Sequence, residues 1–577
     1  MYEDVDIRDG YYGRIRYDKG GNEHFIAYGK EVALDKILQY LDRKAYDFKL
    51  LYAYNDEEKN FVISRGEIGE LTSAEKLREA GIDVRKNSFD CFCDSIFAQE
   101  DSCFEDGNIG FCHKSLGWIK TKKLNNMGNA ELCFRFNRIL TTKGDVESLY
   151  RGQYKIGEMG EFKAWRDMVI QQVLPYVPLS IVLLCALSAT TSALLTDRYP
   201  LTNGILNLCG ASSTGKTTSA FLATSVVGEP FQCIREGIDV NEQEIEEYSI
   251  LQSFANTNNA LVEKMAGNRG IPIVLDEIGK YTGADLTSVI YSLADGNGKG
   301  RMNKSGKIKE AKGFKGTVIT IGEISVFEKC KSKYEGLHNR IFELSEKLTV
   351  SAEHSETIKN TCIENNGWAT PMLAKHILSQ GGIDYVAPSY EKWKSHLKDV
   401  LPSAPFVDRF IETFPALYLT TAEIAKEALN LEFKIEEIID FCKQHLLNGG
   451  TVDISLQSYG FLIKEFFSHD ANFYQFPNSN AICTHGEVWG RYKKCDKYSP
   501  SGKKIVGEFQ VRENIIEKLL SPNGYIMKRC IEIWSREGLI DRDSDRPTRK
   551  RLIEVGKPKE RVFCFYIFEN EEGGEDE

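Results

Sequence analysis

Positive charge is what this chain has too little of. Its 577 residues carry 84 acidic against 73 basic side chains, a formal net charge of −11. That balance argues against a protein that simply coats nucleic acid, and any polyanion site must be concentrated in one stretch. No internal repeat is present, so the length divides into unlike domains, roughly three to five of them. No charged-then-apolar leader follows Met1, and the 15 cysteines are scattered and odd in number, which points to a reducing cytoplasm without disulfide staples. Only Met168 to Thr196 is both uncharged and long enough to cross a bilayer. Pro175, Pro178, two glutamines and "SATTSALL" within it favour a buried helix ahead of the next domain, and no membrane partner is expected.

The pattern as a whole is multidomain α/β. Residues 1–160 alternate short β-rich runs ("YYGRIRY", "HFIAYG", "DFKLLYAY", "NFVISRG") with predicted helices at "ALDKILQYLDRK" and "SAEKLREAG", a mixed α/β accessory domain. Cys91, Cys93, Cys103, Cys112 and His113 lie there, as ordinary buried thiols or, with looser spacing than a zinc knuckle, as a zinc site. Residues 161–350 hold preceding helices and then apolar strands alternating with helices, a parallel sheet covered on its faces. Residues 351–475 read as a helical lid and connector, 476–568 as a smaller terminal domain, and 569–577 as a disordered acidic tail.

Chemistry concentrates in the third of the chain that alternates. Gly210, Gly215, Lys216 and Thr217 have the spacing G-x4-G-K-T, follow the apolar strand "ILNLC" and open a helix. In that context the loop from Gly210 through Ser213, Thr214 and Gly215 to Thr218 wraps phosphates with backbone N–H groups, Lys216 reaches the terminal ones, and Thr217 ligates Mg2+. The positive helix end adds to the attraction for phosphate. Some sixty residues on, "IPIVLDE" ends a strand in two carboxylates, Asp276 to hold the magnesium of ATP and Glu277 to polarise the attacking water. A third strand, "TVITIG", brings Thr320 and Glu323 as candidates to sense the γ-phosphate. Arg340, just before an apolar strand, is either a surface ion pair or a guanidinium offered to a neighbouring subunit.

Between the acid pair and that third strand, Lys299, Arg301, Lys304, Lys307, Lys309, Lys312 and Lys315 stand against the single acid Glu310. "NKSGK" is a turn signal, so the stretch reads as a β-hairpin with Ser305-Gly306 near its tip, solvated or gripping the phosphates of a DNA strand.

Taken together, "GASSTGKTT", "VLDEIGK" with "YSLADGNGKGR", "TIGEIS" and "LHNRIFEL" resemble the AAA+ helicases built like the minichromosome-maintenance proteins, in particular the replication-helicase-like ATPases of staphylococcal cassette chromosome elements. The resemblance covers about residues 165–350. It implies an AAA+ P-loop ATPase core with a helical lid, a homo-hexameric ring with ATP between subunits, a pore hairpin from Lys299 to Lys315 whose Lys304 and Lys307 touch DNA, Arg340 as arginine finger, and a helical insert at 237–265. Two departures stand out: Ile341 separates the finger from Phe342, and no second sensor arginine is identifiable in the lid.

In the terminal domain, "VRENIIEKLL", "GYIMKRCIEIWSREGLI" and "RVFCFYIF" give helix, helix and strand around a basic loop, the order of a winged helix. Arg549, Lys550 and Arg551 are its wing candidates, for DNA or for a protein surface. The expectation is an ATP-driven ring helicase that moves on single-stranded DNA, with the 3′-to-5′ polarity that the resemblance implies, unwinds forked DNA and serves, with other replication proteins, a mobile element. The alternative is a switch or remodelling ATPase acting on a protein.

Overall fold

The computed structural model describes residues 4–85, 87–124, 130–211, 213–230, 249–254, 265–281, 286–296, 301–302, 308–309, 313–323, 325–330, 335–402, 407–447, 454–476, 487–499, 503–523, 525, 527–543, 546–554 and 556–569. The first part is built on three sheets. Val5–Arg8, Tyr11–Tyr17 and Glu23–Lys30 form an antiparallel meander. A five-stranded sheet runs Leu149–Tyr150, Ile109–His113, Val32–Tyr40, Tyr46–Tyr54, Glu57–Ser64 in spatial order. Helices Leu71–Glu79 and Phe89–Ala98 share one core with these two sheets, around Tyr12, Phe48, Leu77 and Phe92.

The helix expected over "ALDKILQYLDRK" is instead the strand Val32–Tyr40, in the middle of that sheet. A bulge shifts its register between Leu34 and Lys36. Val32, Leu34 and Ile37 therefore face one core while Leu38 and Tyr40 face another, and the broken alternation imitates a helical period. The cysteines here are buried thiols: burial pushes Cys93 and Cys112 up to about 12, and the Cys93 thiol donates to the Ile68 carbonyl at 3.3 Å. His113 is enclosed as well, its ring nitrogens held by Ser148 and the Phe136 carbonyl.

The third sheet, Gly117–Thr121, Glu131–Arg135, Ile139–Thr141 and Gly144–Val146, packs on the centre of the molecule. That centre is helix α1, Val177–Leu195, opened by Pro178 in its first turn and buried on every face. It is the one described helix with the length and apolarity of a membrane span, and protein encloses it on all sides. Each of its leucines, isoleucines and valines contributes roughly 1.5–3 kcal/mol by leaving water. Trp118 Nε1 donates to the Thr190 carbonyl at 2.8 Å and Thr421 Oγ1 to Thr191 Oγ1 at 3.1 Å, so the third sheet and the later helices both key into α1.

Five parallel strands follow: β1 Gly204–Leu208, β2 Leu251–Ser253, β3 Ile273–Asp276, β4 Thr317–Ile321 and β5 Ile341–Leu344. Their spatial order is β2-β3-β4-β1-β5. Helices α2, Lys216–Ser225, and α3, Leu286–Asp295, follow β1 and β3. The edge strand β2 falls inside the stretch expected as a helical insert, of which residues 237–248 and 255–264 lie outside the described residues. Two-residue strands Arg301–Met302 and Ile308–Lys309 pair antiparallel, Met302 opposite Ile308, which is the expected hairpin between β3 and β4. Its tip, with Ser305 and Gly306, lies outside the described residues, as do Lys299, Lys304 and Lys307.

After β5 the chain is helical: α4, Ala352–Glu364, then Ala369–Ser379, Ile383–Val400, Val407–Thr413, Pro415–Leu429 and Ile435–Leu447. The next helix, Ile454–Ser468, belongs with the terminal sheet rather than with these helices. Its Leu462 and Phe466 share a core with Phe509, Trp534 and Phe565, and Trp534 Nε1 donates to Ser458 Oγ at 3.0 Å. The terminal sheet orders Phe473–Phe476, Gly490–Tyr498, Lys504–Val511, Glu560–Phe568 and Ile540–Asp541, with Arg549–Arg551 paired to Glu560–Phe568. Helices Glu513–Leu520 and Met527–Arg536 cover it. The long hairpin Gly490–Val511 was not expected from the sequence, and the tail beyond Glu569 lies outside the described residues.

Candidate functional site

The glycine-rich loop hangs between β1 and α2. It turns through left-handed conformations at Ser213 (φ 66°) and Gly215 (φ 94°), and Gly215 is the residue just before α2. A Cβ at Gly215 would stand 2.6 Å from Thr349 Oγ1, so only glycine fits beneath the segment that leaves β5. That segment straps the loop: Leu348 N donates to the Thr214 carbonyl at 2.8 Å. Lys216 Nζ is held at the loop by the Gly210 and Ala211 carbonyls at 2.8 and 2.6 Å.

Lys216, Thr217, Gly215, Ser213, Asp276, Glu277 and Glu323 all line one cavity of about 730 Å3 at the carboxyl edge of the sheet. The parallel sheet does this gathering, because every strand end with a polar residue points to the same edge. Burial pushes the Asp276 carboxyl above its usual range, opposed by the hydrogen bond from the Glu277 backbone N–H to Asp276 Oδ1 at 2.9 Å. Glu277 sits at φ 58°, a strained conformation for a glutamate, and forms an ion pair with Lys280. The Thr217 hydroxyl and the Asp276 carboxylate are hard oxygen donors suited to Mg2+, which keeps several waters and phosphate oxygens and needs only one or two protein ligands. No cluster of three or more His, Cys, Asp or Glu with metal-binding geometry occurs among the described residues.

Thr320, Arg340, Arg549, Lys550 and Arg551 stand outside this cavity. Thr320 is fully buried behind the cavity, where its hydroxyl donates to Asn207 Oδ1 at 2.7 Å. Asn207 Nδ2 in turn donates to Glu343 Oε2 at 2.7 Å, and the same oxygen accepts the Val326 N–H at 3.1 Å. The three side chains form one row because Asn207 lies in register with Thr320 on β4 and with Glu343 on β5. Thr218 also lines the cavity, but its hydroxyl is hydrogen-bonded to Ser355 of α4. Arg340 turns back on its own chain: it donates to the Gly336 carbonyl at 2.9 Å, lies 3.5 Å from Asp295 and covers the Tyr291 ring. In the terminal sheet Arg549 and Arg551 are each 2.8 Å from Asp541, whereas Lys550 between them is exposed.

Asn207, Glu343 and three cationic residues of the cavity, Lys280, Lys347 and Lys359, escaped the sequence reading. A polar residue inside "ILNLC" was the one available signal for the row; the lysines gave none, since they reach the cleft from three separate segments, the turn after β3, the stretch after β5 and α4.

Fold and cavity define a class first: a multidomain α/β protein whose parallel sheet presents a glycine-rich loop and an acid pair to a single cleft. Residues 35–313, a little under half of the chain, match a family model described as "Domain of unknown function (DUF927)". The chain as a whole is similar in fold to the solved structure described as "SCCmec type IV Cch - active helicase", with a TM-score of 0.72 and 18% identity over 98% of this chain and 97% of that one. A second solved structure, "The A form apo structure of NrS-1 C terminal region-CTR(305-718)", is 13% identical and covers 71% of this chain and 91% of that chain, at a TM-score of 0.24 that carries no argument. No curated protein matches the sequence.

Proposed function

We propose that the chain is an ATP-driven DNA helicase that assembles as a hexameric ring, moves 3′-to-5′ on single-stranded DNA and unwinds forks during replication of a mobile element. The observation that carries this reading is the cavity: phosphate loop, acid pair and Glu323 meet at one sheet edge, and the same sheet emits a basic hairpin between β3 and β4. The fold likeness to a protein described as an active helicase supports it.

In this reading the loop from Gly210 to Thr218 binds the phosphates of ATP, and Thr217 with Asp276 holds Mg2+, which neutralises charge on the phosphoryl oxygens. Lys216 leaves the loop carbonyls for the terminal phosphates. Glu277 orients water for attack on the γ-phosphate once its pairing with Lys280 relaxes. Glu323 at the end of β4 reads whether that phosphate is present; Thr320 acts indirectly, by holding β4 to β1. Arg340 serves a neighbouring subunit as finger, which requires it to leave Asp295 and Tyr291. Hairpin residues Lys299, Arg301, Lys304 and Lys307 track the strand, and the terminal domain acts as a winged helix that presents Lys550, with Arg549 and Arg551 holding its wing.

A second reading draws on those two arginines. Because Arg549 and Arg551 are committed to Asp541, only Lys550 of the three wing candidates is left open to DNA, which favours a protein partner, as in a switch or remodelling ATPase. ATP turnover with and without single-stranded DNA separates the two. A helicase is stimulated by the strand; Lys216→Ala abolishes turnover, and the double change Lys304→Ala, Lys307→Ala spares basal turnover but weakens DNA binding and flattens its salt dependence. Turnover indifferent to DNA, with no fork separation, would sink the helicase reading.

A further inference from the structure

Far from the phosphate loop, the edge of the five-stranded sheet encloses a second cavity, of about 180 Å3, whose lining is almost all polar. Arg43, Lys76, Lys114 and Arg151 contribute to it against two carboxylates, Asp47 and Glu67. In a chain of net charge −11 that is a local reversal of sign.

The floor is built. Asp47 is buried, and one of its oxygens takes the Tyr40 hydroxyl at 2.8 Å and lies 3.3 Å from Arg151 Nε. Arg151 is fixed further by Nη2 donating to the Val62 carbonyl at 3.3 Å, which leaves Nη1 without a partner among the described residues. Asp47 Oδ1, also buried, accepts no hydrogen bond from any described residue. Around this floor the cations are poorly matched: Arg43 lies over the Tyr40 ring, Lys76 is 4.0 Å from Glu67, and the Lys114 ammonium has no carboxylate partner among the described residues. Cations that outnumber the carboxylates by two, beside an unmatched buried acceptor, call for a ligand that brings negative charge and a hydrogen-bond donor together.

We propose that this cavity binds a phosphate monoester carried on a sugar, as found at the end of a nucleic-acid strand or in a free mononucleotide. A monoester is close to a dianion at neutral pH, which suits four cations set against two carboxylates. The space exceeds the ~30 Å3 of one water several-fold, enough for the phosphate and part of the sugar whose hydroxyl would meet Asp47.

The test uses the full chain carrying Lys216→Ala, which takes the ammonium away from the phosphate loop and weakens its hold on phosphate. Fluorescence anisotropy compares short single strands ending in phosphate or in hydroxyl, with AMP and inorganic phosphate as competitors. The terminal phosphate should tighten binding about tenfold, the worth of one charge-assisted hydrogen bond. Adding Arg43→Ala with Lys114→Ala, both exposed, should erase the difference without lowering the melting temperature, and Arg43→Gln alone should reduce it. Displacement by AMP as effective as by the phosphorylated strand identifies the free mononucleotide as the source; displacement by the strand alone identifies the strand end. The proposal is overturned if phosphorylated and hydroxyl strands bind alike and AMP does not bind, or if the phosphate preference survives the double change.

Discussion

Asp276 stands at the end of β3 with its carboxyl pushed above the ordinary range, chiefly by burial. The sign of the consequence follows from linkage. Below the ordinary carboxylate range both folded and unfolded chains keep the proton. Above it the unfolded chain loses its proton first, so this group's contribution to stability declines as pH rises through the raised folded value. At neutral pH the empty protein therefore holds a desolvated charge at a cost, and Asp276→Asn should raise its melting temperature while ATP turnover falls to background. A melting temperature that drops instead would mean that Asp276 is a structural anchor. The sequence disclosed Asp276 and Lys216 because both belong to local motifs whose spacing is fixed by one strand and one loop. Thr320 was legible as a strand residue and not as an inward-facing one, since its direction depends on which strand lies beside it.

Between single residues and the whole, the row Thr320–Asn207–Glu343 ties β4, β1 and β5 into one plate behind the cavity. Breaking its middle should leave the buried Thr320 hydroxyl unmatched and take from Glu343 one of the two donors on its Oε2. Asn207→Ala is expected to destabilise the protein by about 1–3 kcal/mol, more than Thr320→Val, and the double change should cost less than the sum of the two. Denaturant unfolding of the three variants checks this, and additive costs would show that the side chains are not coupled. Elements were readable where the pattern was unbroken, as in the uniformly apolar α1 and the two-faced Leu71–Glu79. They were misread where a bulge broke the period, as in Val32–Tyr40, and where short strands such as β2 exist only because a sheet edge awaits them.

Across the molecule, residues 267–270 bridge the third sheet and the exit of the basic hairpin. Trp118 N donates to the Arg269 carbonyl and Gly270 N to the Lys315 carbonyl, both at 2.7 Å. The bridge demands glycine at 117, where φ is 86° and a Cβ would stand 1.7 Å from the Arg269 carbonyl oxygen. Gly117→Ala should cost about 1–3 kcal/mol in strain, and DNA-stimulated ATP turnover should fall more than basal turnover because the hairpin's exit is no longer braced. Equal losses in both would remove the bridge from any mechanical role. Domain extents followed the same division: the all-helical stretch after β5 was plain from composition, but Ile454–Ser468 joins the terminal sheet through Ser458, Leu462 and Phe466, partners far away in the chain.

The amino-acid order by itself determined the glycine-rich loop, the acid pair, the buried character of α1 and the basic run between β3 and β4, because each depends on neighbours within a few residues. Tertiary structure alone decided which polar groups face the cleft and which are consumed in holding strands together. It also decided that Arg340, Arg549 and Arg551 are paired within the chain and that four cations line one cavity with Asp47. Those outcomes rest on strand order and docking, where residues distant in sequence compete for the same partner.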